Sequence, residues 1–135
     1  MASKNTENDT TKKKMSSSVM AKGLFEKLES LNGNRGRFVT SMTNNSLGAL
    51  DLVISKTKDY ATIDDPYRNF RMSESVGVSV EKGILVRMCD KLSRIGNLIE
   101  RNDHSVKDES IEDTLIDIMN YSNILLCYIQ EKRNT

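Results

Sequence analysis

A chain of 135 residues with 20 basic and 19 acidic side chains has a net charge of +1, so no global field draws it to nucleic acid or to an anionic membrane. Its length suits one domain, and with no Trp and three Phe the packing falls to Leu, Ile, Val and Met, which favours helices over a sandwich. No run approaches the ~18 apolar residues of a membrane span, and no apolar segment follows the N-terminal charges as in a secretory signal, so a cytoplasmic protein is expected.

Residues 1–18 are mostly Ser, Thr, Asn and Lys, including Lys12, Lys13 and Lys14. Such a segment cannot offset its own ordering entropy, so it reads as a disordered polar tail ahead of an all-α domain at 19–135. Three lysines are a weak footprint for a nucleic-acid arm.

Leu24, Leu28 and Leu31 step by four and three, which predicts a short amphipathic helix over 19–31 ending at Asn32-Gly33-Asn34. Gly33, Arg35, Gly36 and Arg37 then read as a basic turn; a phosphate-cradling loop is the alternative, but no strand precedes it and no Gly-Lys-Ser/Thr ends it. Leu47, Leu50, Val53 and Ile54 predict a second helix over 46–60, and the Asp64-Asp65-Pro66 breaker predicts a loop over 63–70. Val76, Val80, Ile84 and Met88 predict a third and longest helix with a break near Gly83. A fourth runs to about residue 131, capped by Ser105 or Asp108 with acids in its first turn. Four helices with short connections predict a four-helix bundle-like fold, whose sites are built from side chains on facing helices.

The last two helices carry charged stripes beside their apolar faces. Met88, Leu92, Ile95 and Ile99 form the predicted core face of one, with Lys91 at its margin and Arg87 and Arg94 slightly further out. On the other, Ile111, Leu115, Ile118, Ser122, Leu125 and Ile129 form the core face, with Asp117 and Tyr121 at one margin and Asp113 in the same acidic stripe. Packed antiparallel, the two would set cations against carboxylates in a partly dry groove. The plain consequence is a set of inter-helix salt bridges that fix register. The functional one is phosphate binding by Arg87, Lys91 and Arg94, with Asp113 and Asp117 orienting the cations or holding ribose hydroxyls. Both can hold together.

The stretch from Lys56 to Arg71 mixes rings, cations and amides, including Tyr60, Arg68, Asn69 and Phe70. That mixture suits stacking on a base; equally, Tyr60 and Phe70 could pin a loop to the core. Glu109, Glu112, Asp113 and Asp117 raise a magnesium alternative, but rotation spreads Glu109, Asp113 and Asp117 over about 80° and turns Glu112 to the opposite margin. Cys89 and Cys127 read as reduced thiols, and the lone His104 has no partner for zinc or nucleophilic chemistry. No cofactor and no covalent catalysis is expected.

Three segments, KDYATIDDPYRNFRMSESVGV, KGILVRMCDKLSRIGNLI and VKDESIEDTLIDIMNYSNILLCYI, resemble the phage nucleotide modification associated domain 1 family. The resemblance implies a small all-α, phage- or prophage-encoded protein linked to nucleotide metabolism or base modification. ESIEDTLID is also similar to the second acidic helix of MazG-type nucleoside triphosphate pyrophosphohydrolases, which would carry metal binding onto Glu109, Glu112, Asp113 and Asp117. Their first acidic pair is absent, because VRMCDKLSR presents Arg87, Asp90, Lys91 and Arg94 instead. The expected function is therefore capture of a nucleotide or nucleotide-derived molecule by a homodimer, for modification or to sequester a defence signal. A magnesium-dependent pyrophosphohydrolase and an inhibitor that binds a host protein are the alternatives.

Overall fold

The computed structural model describes residues 6–60, 65–101 and 110–135, of which 6–17 and 57–60 are described as backbone only. Among the described residues the chain is all-α: α1 (Thr6–Glu29), α2 (Gly33–Tyr60), α3 (Arg68–Arg71), a 3₁₀ turn (Met72–Val76), α4 (Val80–Glu100) and α5 (Ile111–Arg133). It divides into two compact units, Met1–Asn44 and Asn45–Thr135, with the boundary inside α2.

In the first unit α1 begins well before residue 19, across part of the segment predicted to be a tail. Neither Gly nor Pro interrupts Thr6 to Lys22, so the backbone meets no strong helix breaker there. The predicted break at Asn32-Gly33 is present: Gly33 adopts a φ of 65°, which favours glycine. The basic turn expected after it is instead the first turn of α2, closed by a Gly36 N–H bond to the Asn32 carbonyl at 3.2 Å. Gly36 is needed for close approach, since a Cβ there would lie 2.6 Å from the Leu31 carbonyl oxygen.

In the second unit α4 packs on α5, and α3 with the 3₁₀ turn packs on α4. The expected 63–70 loop is in part helical, because α3 starts at Arg68, and Val76 belongs to the 3₁₀ turn rather than to the following helix. Gly77, with a φ of 76°, ends that turn, and Ser79 caps α4 by accepting from the Lys82 N–H at 3.4 Å. The helix runs unbroken through Gly83, where a Cβ would lie 2.8 Å from Ser73 Oγ. The glycine thus admits the 3₁₀ turn against α4 and does not break the helix. Among the described residues α2, with 28 residues, rather than α4 is the longest helix.

At the start of α5, Ser110 and Asp113 form a capping box: Ser110 Oγ accepts from the Asp113 N–H at 3.0 Å, while the Ser110 N–H donates to Asp113 Oδ2 at 3.2 Å. The predicted caps Ser105 and Asp108, and His104, lie outside the described residues. At the far end Lys132 Nζ reaches Glu81 Oε1 at 2.8 Å, tying the last turn of α5 to the first turn of α4, so the two helices run antiparallel. Nearby the Tyr67 ring meets Tyr128 edge-on at 5.0 Å, and its hydroxyl donates to Glu131 Oε1 at 3.0 Å. Burial, with the Glu131 carboxylate beside it, pushes the Tyr67 phenol well above its ordinary pKa.

The inward face of α4 is rotated from the predicted one, while that of α5 keeps most of its predicted positions and extends around the helix to Asp117 and Asn120. On α4 the buried positions are Val80, Ile84 and Leu98, with Met88, Lys91, Arg94 and Ile95 half-buried; Leu92 and Ile99 are exposed. On α5 Thr114 and Asn120 are buried and Asp117, Tyr121 and Ile124 half-buried, as are Ile111, Ile118, Leu125 and Ile129 of the predicted face, while Leu115 and Ser122 of that face are exposed. The rotation follows from Val80 and Ile84: both are fully buried, α3 and the 3₁₀ turn pack on this helix, and the same stripe continued by seven residues is Lys91.

Candidate functional site

That arrangement brings Lys91 and Asp117 of the charged stripes into the seam. Lys91 Nζ lies 2.8 Å from Asp117 Oδ2, and Lys56, from α2, lies 3.5 Å from the other oxygen, Oδ1. The Asp117 side chain is 17% exposed and that of Lys91 23%. Burial pushes the Asp117 carboxyl up, but the Lys91 hydrogen bond and the charges of Lys56 and Lys91 outweigh it and hold the group below its ordinary value. Asp117 is therefore ionised at neutral pH and clamps three helices.

Beside this clamp opens a cavity of about 550 Å³. Val53 and Lys56 of α2, Pro66, Asn69, Phe70 and Met72 of the following segment, Arg87 of α4, and Asp117, Asn120, Tyr121 and Ile124 of α5 line it. The Phe70 ring stands edge-on to Tyr121 at 6.2 Å and 86°, and the Arg87 guanidinium lies 6.0 Å from the Phe70 centroid. An aromatic corner is thus joined to a cation whose fork suits phosphate oxygens. Asp65 supports the segment from outside the cavity, accepting from the Tyr67 N–H at 3.0 Å and from Arg71 Nε at 2.9 Å.

The sequence-derived candidates fall in different places. Arg87, Asn69 and Asp117 line the cavity, and Lys91 holds Asp117 from behind. Arg94 is half-buried further along α4 and does not line it, and Arg68 is exposed at the start of α3. Asp113 is engaged in the capping box. The Tyr60 side chain and Glu109 lie outside the described residues, and Glu112 is exposed. No group of three or more His, Cys, Asp or Glu among the described residues is arranged to hold a metal ion. Cys89 and Cys127 are free and exposed.

Asn120 is the lining residue that sequence reasoning missed. It is 7% exposed, and its buried Oδ1 has no hydrogen-bond partner among the described residues. A signal existed: Ile116, Asn120 and Ile124 are spaced four apart, so an amide sits between two isoleucines on one helix face. Nothing in that pattern distinguishes a satisfied core amide from an unsatisfied one.

No curated protein and no solved structure matches the chain. The model of the nucleotide modification associated domain 1 family matches residues 56–130, a span that holds every cavity-lining residue except Val53. With more than half of its length matched, the chain belongs to the nucleotide modification associated domain 1 family.

Proposed function

We propose that the protein binds a nucleotide or a nucleotide-derived small molecule in the cavity between α2, the Pro66–Met72 segment, α4 and α5. The observation that carries this reading is the Arg87–Phe70–Tyr121 corner: a planar ring has two aromatic neighbours there, and an anion has a guanidinium beside them. Lys56 adds a second cation at the rim, and the family's description supports a role in nucleotide chemistry. Within this reading Asp117 orients Lys56 and Lys91, Asn69 contributes an amide to the wall, and Phe70 and Tyr121 provide the apolar surface.

The resemblance to phage proteins supports the finer form of the proposal, capture of a nucleotide in the host cytoplasm for modification or to sequester a signal. The exposed Leu85, Leu92 and Ile99 of α4 support self-association as a homodimer, which light scattering on the purified protein would detect.

Thermal denaturation with a panel of nucleotides tests the binding step. A ligand at about one hundred times its Kd stabilises a folded protein by about 2.7 kcal/mol, which is a shift of several degrees for a chain of this size. At least one nucleotide is expected to give that shift, and Arg87→Ala to reduce it sharply. No shift with any nucleotide, or the same shift in Arg87→Ala, would count against the proposal.

A further inference from the structure

Resting on the nucleotide-binding reading, the geometry points to a narrower ligand: we propose that the cavity takes a nucleoside monophosphate, with Asn120 Oδ1 accepting a hydrogen bond from an N–H of the base. Two independent features of the wall carry this.

The first is the amide. A buried carbonyl-type oxygen without a donor is destabilising, and folded proteins seldom retain one. Asn120 is held on α5 between Ile116 and Ile124, which offer no donor from their side chains, and it faces a cavity that also holds Phe70 and Tyr121. The donor it lacks is one that every nucleic-acid base carries on its pairing edge, and the neighbouring rings supply the apolar surface that such a base needs.

The second is charge. Of the lining residues Lys56 and Arg87 are cationic and Asp117 is anionic, which leaves one positive charge; Lys91 behind Asp117 adds a second. That balance matches a phosphate monoester, which carries about −2 at neutral pH, better than it matches a triphosphate. Triphosphates also bring magnesium, which proteins commonly hold through one or two carboxylates beside the phosphates and waters. Each Asp117 oxygen is already paired with an ammonium group. At about 550 Å³ the cavity is within the size range of small-molecule sites.

Isothermal titration of the full chain decides the matter, using the four ribonucleoside monophosphates, their triphosphates with magnesium, and ribose 5-phosphate. At least one monophosphate is expected to bind more tightly than its own triphosphate and than ribose 5-phosphate, each by on the order of tenfold. Asn120→Leu is expected to weaken that monophosphate by a similar factor while leaving the melting temperature of the ligand-free protein equal or higher, because it removes a buried polar atom that lacks a partner. An amide with a purely structural role would instead lower the melting temperature and leave affinity unchanged, which overturns the assignment. If Asn120→Leu does not fold, Asn120→Ser removes the amide with less bulk and is read in the same way. A triphosphate that binds tighter than every monophosphate would overturn this inference yet leave the broader reading standing; silence across the whole panel would end both.

Discussion

Two stretches of the α4–α5 seam are built on opposite terms. Around Val80 and Ile84 the side chains are fully buried, the 3₁₀ turn is pressed against Gly83, and Ser73 Oγ is satisfied by the Phe70 carbonyl at 2.8 Å. About two helical turns along, Lys91, Asp117 and Asn120 occupy the equivalent inward positions, and the apolar residues expected there, Leu92 and Leu115, face outward. The first stretch is a closed core and the second, in the middle of the seam with buried Leu98 and Thr114 beyond it, an ionic clamp beside a cavity. The contrast teaches that the rigid stretch fixes where Phe70 and Arg87 stand, while the polar middle gives up packing in exchange for groups that a ligand can use.

Substitutions at the closed end should have the largest effects. Ile84→Ala is expected to destabilise the protein by about 3 kcal/mol in urea denaturation, from lost burial and the cavity left behind. A cost under about 1 kcal/mol would show that this end is not tightly packed. Gly83→Val should cost about 2 kcal/mol, because its side chain enters the space of Ser73, and it should also weaken ligand binding by displacing Phe70. Unchanged stability would show that the 3₁₀ turn yields easily.

In the polar middle of the seam Asp117→Asn is expected to cost about 1 kcal/mol at pH 7, since it leaves Lys56 and Lys91 without their carboxylate while the pair remains partly solvated. The pH dependence sharpens this. The Asp117 carboxyl is held below its ordinary value in the folded protein, so its contribution is complete above the ordinary value near pH 4 and is lost as pH falls through the lowered one. Stability of the wild type measured from pH 6 downward should therefore fall more steeply than that of Asp117→Asn, and parallel curves would refute the clamp. The smallest effect belongs to Ser110→Ala, which removes one half of the capping box and should cost about 1 kcal/mol or less.

Much of this arrangement was legible in the residues. Apolar spacing of three and four located the later part of α1 and α2 but not their starts at Thr6 and Gly33, the Asn32-Gly33 pair marked the break between them, and steps of three and four placed Lys91 and Asp117 on faces that could meet. The rotation of the α4 face was not legible. Leu92 and Ile99 make a more apolar stripe than Lys91 and Arg94, and periodicity alone selects the more apolar one. What overrides it is tertiary: α3 and the 3₁₀ turn pack on α4 and bury Val80 and Ile84, and the periodicity of α4 alone does not encode which of its faces those elements cover. Asp113 shows a second limit. Its helical position groups it with Asp117, yet a carboxylate three residues beyond a serine cap is consumed by the backbone. Asn120 shows a third, because satisfaction of a buried amide depends on its neighbours in space.

The most direct test of the central claim, that the polar middle of the seam is a nucleotide site, is to follow amide and side-chain signals by NMR while a nucleoside monophosphate is titrated into the labelled protein. Saturable shifts centred on Asn69, Arg87, Asn120 and Tyr121, with the Asn120 side-chain amide among the largest, are the expected result. Saturable shifts centred elsewhere on the chain, or none at concentrations that saturate thermal stabilisation, would contradict it.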